Sequence, residues 1–265
     1  MHAFSRLVEI MATLRGPGGC PWDREQTIDS LKPFVLEEAY EVLDAIDRHD
    51  HEALCEELGD FVFEAVFLAQ LEHEAGHFTI DDSLRRIADK LVRRHPHVFA
   101  RGEGEAPLDS AGQVRVRWEE IKAQERSASS RGGSLLAGIA PALPALLRAY
   151  HIGLRAASVH FDWPRTEDVV GKIEEEVAEL REAVAAGEDH ARAEEEMGDL
   201  LFSIAQLARR LGIEPETALR KANDKFTRRF TSMESGLGEA GRKMSDLSLD
   251  DLERAWQAAK AETDR

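Results

Sequence analysis

The sequence predicts an all-α protein built from two tandem copies of one helical-bundle domain. Apolar residues recur at the i, i+3, i+4 spacing of an amphipathic helix over 35–46 and again over 54–68. The sequence contains no convincing run of alternating β-branched residues joined by hairpin turns. A series of acidic and basic motifs occurs twice in the same order, which indicates a duplicated domain.

The duplication is visible in several pairs of segments. EEAYE at 37–41 returns as EEVAE at 175–179, and EELGDFVF at 56–63 returns as EEMGDLLF at 195–202. DKLVRR at 89–94 returns as DKFTRR at 224–229, and Trp118 with Lys122 returns as Trp256 with Lys260. The spacing between the partners is nearly constant. We therefore expect a first domain over 1–126, a flexible linker with the sequence SASSRGGS over 127–134, and a second domain over 135–265.

Local signals predict where several helices begin and end. Thr79 and Ser248 are each followed three residues later by an aspartate, a pattern that predicts a capping box at a helix start. A polar stretch with glycines over 101–110 predicts a loop. Glycines mark three predicted helix ends: Gly76, Gly187 and Gly212.

The charge balance excludes some classes of partner. The 51 acidic and 34 basic residues give a formal net charge of −17. Such a surface repels a nucleic-acid backbone and anionic lipid headgroups, so we expect neither direct duplex binding nor membrane binding. The longest nearly uncharged apolar stretch, 135–147, is too short to cross a bilayer and contains two prolines. With no recognisable signal peptide, we expect a cytoplasmic protein.

In each copy, two neighbouring helices carry the motifs E-x-x-E and E-x-x-D. Residues three apart lie on the same side of a helix, so each pair of carboxylates points one way. Like charges gathered beside apolar residues repel one another unless a cation compensates them. An all-oxygen set favours Mg²⁺, Mn²⁺ or Ca²⁺, whereas a di-iron centre would need histidines in E-x-x-H. A solvated helix face is the alternative. The residues concerned are Glu38, Glu41, Glu57 and Asp60, and then Glu176, Glu179, Glu196 and Asp199.

A basic group follows each acidic pair. Lys90, Arg93 and Arg94 occupy one helix of the first copy, and K-x-x-R-R at 225–229 occupies the second. Such a cluster suits a polyphosphate, although a solvated basic face with local ion pairs is the alternative. The tryptophan of each copy, Trp118 or Trp256, is either a stacking partner for a base or a core residue.

These motifs resemble the MazG family of nucleoside triphosphate pyrophosphohydrolases. The resemblance covers nearly the whole chain and includes GCPWD at 19–23 and RRHPHVF at 93–99, which are specific to the two-domain form. It implies an all-α NTP pyrophosphohydrolase fold completed by dimerisation into a homodimer. It also implies hydrolysis of ribo- and deoxyribonucleoside triphosphates, ATP included, to the monophosphate and pyrophosphate with Mg²⁺, or with Mn²⁺ in its place.

The resemblance also assigns roles to residues, mainly in the second copy, to which the family's catalysis is attributed. The implied metal ligands are Glu176, Glu179, Glu196 and Asp199, with Glu38, Glu41, Glu57 and Asp60 as their counterparts in the first copy. The implied nucleotide contacts are Lys172, Glu175, Arg192, Glu195, Lys225, Arg228, Arg229 and Trp256. The implied catalytic residues are Glu175, Glu176, Lys225 and Arg228. Arg192 stands where the family as readily has lysine, and Glu175 is either a base or a partner of the ligand Glu176.

Three other functions fit parts of the pattern. One is a non-catalytic nucleotide or alarmone sensor that uses the same site. Another is a related pyrophosphohydrolase with a narrower substrate, of the phosphoribosyl-ATP or dUTP type. The third is a structural helical dimer whose carboxylates only bind Ca²⁺ or Mg²⁺, although such a site has no need of the basic group.

Overall fold

The computed structural model describes residues 2–100, 110, 112–114, 117–118, 121, 134–186 and 190–263, and these residues form helices and turns with no strand among them. The all-α prediction is confirmed. The chain divides into two compact units, Met1–Ser130 and Arg131–Arg265. Most of the expected linker and loop, and Gly187, lie outside the described residues. None of the described helices combines the length and apolar character that crossing a membrane would require.

The first unit is built around a helical hairpin. Its fully described helices are α1 (Ala3–Arg15), α2 (Pro21–Glu25), α3 (Ile28–Arg48), α4 (His51–Glu74), α5 (Ile80–Arg94) and α6 (Pro96–Phe99). Between α3 and α4 lies a turn in which His49 adopts a left-handed conformation and the Asp50 side chain caps α4. This short connection makes α3 and α4 antiparallel neighbours, and α1 packs against α4.

The second unit repeats this arrangement. Its helices are α7 (Ala145–Ala157), α8 (Thr166–Ala186), α9 (His190–Arg210), α10 (Pro215–Glu239) and α11 (Leu249–Thr263). Helix α8 pairs with α9, α7 packs on α9, and α10 pairs with α11. A 3-10 turn over Met244–Asp246 precedes α11.

The predicted helix boundaries agree with the structure where it describes them. Thr79 and Asp82 form a complete capping box at the start of α5. The Ser248 hydroxyl accepts the backbone N–H of Asp251 at the start of α11. Gly76 and Gly212 follow α4 and α9 with positive φ, a conformation that glycine adopts at little cost.

One helix differs in length between the copies because of a single proline. Helix α5 ends at Arg94, and the following His95 is not helical. Pro96 disfavours the helical conformation for the residue before it, and it begins the short helix α6. The second copy has no proline at the matching place, and α10 continues unbroken to Glu239.

Each unit has a small core. In the first unit Met11, Leu31, Val66 and Phe67 are buried together between α1, α3 and α4. In the second unit a cluster around Met233, between α10 and α11, includes Trp256.

Much of the apolar stripe that predicts α3 and α4 is not buried in this core. Leu36, Leu58 and Phe61 are 56 %, 47 % and 41 % exposed in the single chain. Large apolar side chains of α9 show the same behaviour, with Met197 at 45 % and Leu201 at 44 % exposed. The helical periodicity therefore predicted the helices correctly, but several of the apolar residues that follow it are not buried in the core of a single chain.

Candidate metal and nucleotide site

The first copy brings three predicted carboxylates together across the α3–α4 hairpin. Glu38 and Glu41 project from α3 and Glu57 from α4, and one oxygen of each lies within 4.8 Å of the others. Asp60, one turn after Glu57, stands close enough for its charge to raise the pKa of Glu38. Three of the four predicted carboxylates therefore converge, and Asp60 lies near enough to act on Glu38.

The electrostatics of this cluster are unfavourable without a cation. Burial, followed by the charges of Glu41, Asp60 and Glu57, raises the pKa of Glu38. Desolvation and then the charge of Glu41 raise the pKa of Glu57. The raised pKa values of Glu38 and Glu57 mean that their ionised forms are destabilised, because like charges share a partly dehydrated space.

The second copy builds the equivalent cluster between α8 and α9. Oxygens of Glu176, Glu196 and Asp199 lie within 4.8 Å of one another, and Glu176 is only 3 % exposed. Glu179 stands beside this triad, since the charges of Glu196 and Glu176, after desolvation, raise its pKa. The triads use different members of the predicted set, because Glu179 corresponds to Glu41 and Asp199 corresponds to Asp60.

Two cations adjoin the second cluster. The Lys172 ammonium lies 2.6 Å from Glu175 and 2.8 Å from Glu176, and the Arg192 guanidinium lies 3.7 Å from Glu196. Both ion pairs to the cluster join residues four apart on one helix, where side chains meet on the same face. Lys172 and Arg192, which the family resemblance alone implied, are therefore at the cluster. Glu195 is exposed on the same helix as Arg192.

The first copy has no cation at either equivalent position. Four residues before Glu38 stands Phe34, and four residues before Glu57 stands Ala53. Phe34 packs instead against the first core and against the ring of Trp22. The four carboxylates recur in both copies, but the positive charges beside them do not. The repeated motifs do not reveal this difference, because both cations stand four residues before the carboxylates that they contact.

The first copy also carries an acidic residue that sequence reasoning missed. Glu64 lies one turn beyond Asp60 on α4 and is 7 % exposed. Burial, followed by the charges of Glu38 and Asp60, raises its pKa. Its counterpart four residues after Asp199 is the buried Ser203. The i, i+4 spacing from Asp60 puts Glu64 on the same face of α4, but only its burial distinguishes it from surface acids.

The basic group of the second copy lies on α10. Lys225 and Arg228 are exposed, and neither forms an ion pair with any residue in the described part of the chain. Arg229 is less exposed. Trp256 packs against Phe226, with ring centroids 5.0 Å apart, as part of the α10–α11 cluster. Trp256 is therefore at least a packing residue.

In the first copy the basic group lies near the end of α5. Lys90 and Arg94 are half-buried and Arg93 is exposed. Trp118 contacts the ring of His95 at 5.4 Å between centroids. The residue that follows the basic motif thus differs between the copies, with His95 against Trp118 in the first and Phe230 stacked on Phe226 in the second.

The residues of both clusters fit a divalent cation. Each cluster offers carboxylate oxygens from two helices at mutual distances that one ion can span. In the first copy, Oε2 of Glu38 is buried and has no hydrogen-bond partner among the described residues. A carboxyl group whose oxygen is buried in this way is stabilised either by a cation beside it or by a proton on it. Hard oxygen ligands suit Mg²⁺ or Mn²⁺.

The fold and the site together define an all-α protein with a duplicated four-carboxylate centre suited to divalent cations. The MazG nucleotide pyrophosphohydrolase domain matches the chain twice, over 26–99 and 166–233, and the chain belongs to this family. The chain is 47 % identical over 262 residues to the nucleoside triphosphate pyrophosphohydrolase of Escherichia coli K12, covering 98 % of each.

The chain is also similar to two further proteins. The chain is 46 % identical to the nucleoside triphosphate pyrophosphohydrolase/pyrophosphatase MazG of Thermotoga maritima, covering 97 % of this chain and 95 % of that one. A solved structure of a mazG-related protein from Thermotoga maritima covers 45 % of this chain and 98 % of its own, at 28 % identity and a TM-score of 0.38.

Proposed function

We propose that the protein hydrolyses ribo- and deoxyribonucleoside triphosphates to the monophosphate and pyrophosphate, and that the second copy carries the reaction. One observation carries this proposal: three carboxylates of the second copy converge within 4.8 Å, with Lys172 and Arg192 in contact with them. A site that binds a cation and a polyphosphate together needs charges of both signs. The names of the full-length relatives support the reaction.

Glu176, Glu179, Glu196 and Asp199 would hold Mg²⁺, or Mn²⁺ in its place. When bound, such an ion neutralises part of the triphosphate charge and lowers the pKa of a coordinated water. The residues themselves are held ready by the fold, because α8 and α9 present them from facing positions. This preorganisation avoids a cost of ordering the ligands when the substrate arrives.

The cationic side chains bind the phosphates in this proposal. Lys172 already bridges Glu175 and Glu176, so it holds an ammonium group at the edge of the carboxylate cluster. Lys225 and Arg228 are exposed cations without an ion pair among the described residues, so they can take phosphate oxygens without breaking one. Positive groups at the leaving oxygens stabilise the charge that develops on pyrophosphate. Arg192, Arg229 and Glu195 complete the proposed substrate contacts.

Glu175 is proposed to position Lys172. Its carboxylate accepts the Lys172 hydrogen bond at 2.6 Å, while its side chain remains 57 % exposed. Glu175 could also accept a proton from water at this position, but its contact with Lys172 is the interaction present among the described residues. Trp256, which packs against Phe226 and is half-buried, is proposed to contact the nucleotide.

A panel assay tests the reaction. The full-length protein is incubated with each of the eight common NTPs and dNTPs, with and without Mg²⁺, and the products are separated by ion exchange. We expect monophosphate and pyrophosphate, formed only with the metal. Formation of diphosphate and orthophosphate would contradict the proposal, and nucleotide binding without any product would favour the non-catalytic sensor.

We further propose that a second copy of the chain covers the exposed apolar faces. Leu36, Leu58 and Phe61 are exposed apolar side chains of the α3–α4 hairpin, and Met197 and Leu201 are likewise exposed on α9. Exposed apolar side chains gathered on one face are typical of an interaction surface. The faces lie on the same hairpins that carry the carboxylates, which links assembly to the site.

Light scattering tests this assembly. We expect a mass of about twice 29.6 kDa at micromolar concentration, and a shift toward the monomer in Leu58→Glu, which places a charge on the apolar face. A wild-type mass near 29.6 kDa would contradict the homodimer.

A further inference from the structure

A cavity lies in the second copy between α7, α9 and the loop that leads into α8. Its volume is about 730 Å³, which is within the range of cavities that bind small molecules. The lining is mostly apolar and includes two aromatic side chains from different elements, Trp163 from the loop and Phe202 from α9. Ile152 and Ala156 line the cavity from α7. These four residues are distinct from the proposed metal and phosphate contacts.

The first copy fills the corresponding space with side chains. Counted from the first residues of α1 and α7, Met11 of the first copy matches Gly153 of the second. At the spacing of the repeated E-E-x-G-D motif, Phe67 of α4 matches Gln206 of α9. Met11 and Phe67 are fully buried together in the first core, whereas Gly153 and Gln206 line the cavity. The exchange of two large apolar side chains for a glycine and a glutamine therefore leaves room that only the second copy has.

The polar groups of the cavity bind one another. Gln206 donates to the Ala149 carbonyl at 2.9 Å and accepts a hydrogen bond from Arg209 at 3.0 Å. The Arg209 side chain is only 7 % exposed, and its guanidinium lies 2.5 Å from the carboxylate of Asp162. Because these charges are already paired, the cavity suits an apolar aromatic occupant better than a free anion or cation.

The cavity begins one helical turn beyond a proposed metal ligand. Asp199, Phe202 and Gln206 are spaced by three and then four residues, so they follow one another along one face of α9. Phe202 lies about 4.5 Å beyond Asp199 along the helix axis. A nucleotide whose phosphates bind at the carboxylate cluster therefore has its sugar and base within reach of the cavity.

We infer that this cavity binds the base of the nucleotide substrate, in contact with Phe202 and Trp163. The inference rests on the proposed function, which gives the position of the phosphates. Contact with an aromatic side chain tolerates any base, because every base has an apolar face. The paired polar groups of the cavity offer no charge for reading a base edge, so we expect purine and pyrimidine nucleotides to use the same space. In the first copy the core occupies this space.

Binding of ligands with and without a base tests the inference. Calorimetric titration of the full-length protein with Mg²⁺ compares α,β-methylene-ATP, which resists cleavage between its α- and β-phosphates, with inorganic tripolyphosphate, which has no base. Ala156→Phe adds a ring to the cavity wall. We expect this variant to bind the ATP analogue about tenfold more weakly, with tripolyphosphate binding changed by no more than about twofold. Leu154→Phe, an exposed change on the same helix, should match the wild type.

A second variant removes a contact instead of adding bulk. Phe202→Ala should weaken binding of the ATP analogue about fivefold or more, again without a matching loss for tripolyphosphate. Circular dichroism identifies the variants that fold. Equal losses for both ligands, or unchanged binding of the ATP analogue in a folded variant, would overturn the inference and place the base elsewhere. Pyrophosphate release by the wild type is a separate measurement: a protein that binds the analogue through this cavity but releases no pyrophosphate would refute the proposed reaction and not the base site.

Discussion

The ammonium of Lys172 bridges two adjacent carboxylates, at 2.6 Å from Glu175 and 2.8 Å from Glu176. Hydrogen bonds to Glu175 and Glu176 raise the pKa of Lys172 above its ordinary value. The lysine is therefore cationic at neutral pH. A fixed positive charge at the edge of this carboxylate cluster offers a binding position for a phosphate oxygen.

Replacing Lys172 should weaken substrate binding. We expect Lys172→Met to raise KM for the nucleotide by about tenfold or more, because a hydrogen bond to a charged group contributes about 1.5–3 kcal/mol. Steady-state pyrophosphate release measures this effect. Lys32→Met is the matched control, since Lys32 forms an exposed pair with Asp29 in the first copy. An unchanged KM in Lys172→Met would remove Lys172 from the phosphate site.

Asp162 should contribute to stability in a pH-dependent way. Burial raises the pKa of its carboxyl, but hydrogen bonds and charge from Arg209 and Arg210 outweigh burial, and the net pKa lies below its ordinary value of 3.8. The ionised form is therefore favoured by folding. Its stabilisation is present above pH 3.8 and is lost as the pH falls through the lower folded-state pKa.

Denaturant unfolding of Asp162→Asn measures this contribution. At pH 7 we expect a loss of about 3 kcal/mol, because the mostly buried guanidinium of Arg209 is left without its partner. The deficit relative to wild type should shrink as the pH is lowered below 3.8. Asp44→Asn, which breaks an exposed pair with Arg48, should cost no more than about 0.5 kcal/mol. A pH-independent deficit would contradict the assignment.

Gly153 permits the close approach of α7 and α9. A Cβ at this position would lie 1.7 Å from Oε1 of Gln206, whose side chain is 1 % exposed and donates to the Ala149 carbonyl at 2.9 Å. We expect Gly153→Ala to destabilise the second unit by about 2 kcal/mol in urea unfolding followed by circular dichroism.

Gly236 provides the opposite control. It also lies in a helix, but a Cβ there meets no atom within 4 Å. Gly236→Ala should be neutral or stabilising by about 0.5–1 kcal/mol, because alanine has the higher helix propensity. Equal effects of the two substitutions would show that helix propensity, and not helix–helix contact, governs Gly153.

Local rules predicted most of the fold. The capping box at Thr79 and the helix end at Gly76 depend on neighbours within four residues, and the sequence displays those neighbours directly. The carboxylate clusters were also predictable, because E-x-x-E and E-x-x-D place their side chains on single helix faces. The sequence did not predict what covers the apolar residues of α3 and α4, since periodicity shows which face of a helix is apolar but not what packs against it.

The asymmetry between the copies was harder to predict. Lys172 and Arg192 stand four residues before Glu176 and Glu196, outside the motifs that recur in both copies. Glu64 lies inside an apolar segment whose neighbours Phe63 and Phe67 pack in the core, and only its depth marks it as unusual. Burial is a property of the packed units, so the sequence alone could not separate Glu64 from surface acids.

The most direct test compares the same substitution in the two copies. Glu196→Gln and Glu57→Gln each remove one equivalent ligand charge while keeping side-chain volume, and circular dichroism confirms that both proteins fold. We measure Mg²⁺-dependent pyrophosphate release from the best substrate of the panel. We predict a loss on the order of a hundredfold or more in Glu196→Gln and a much smaller loss in Glu57→Gln. Equal losses in the two folded variants would contradict the assignment of catalysis to the second copy.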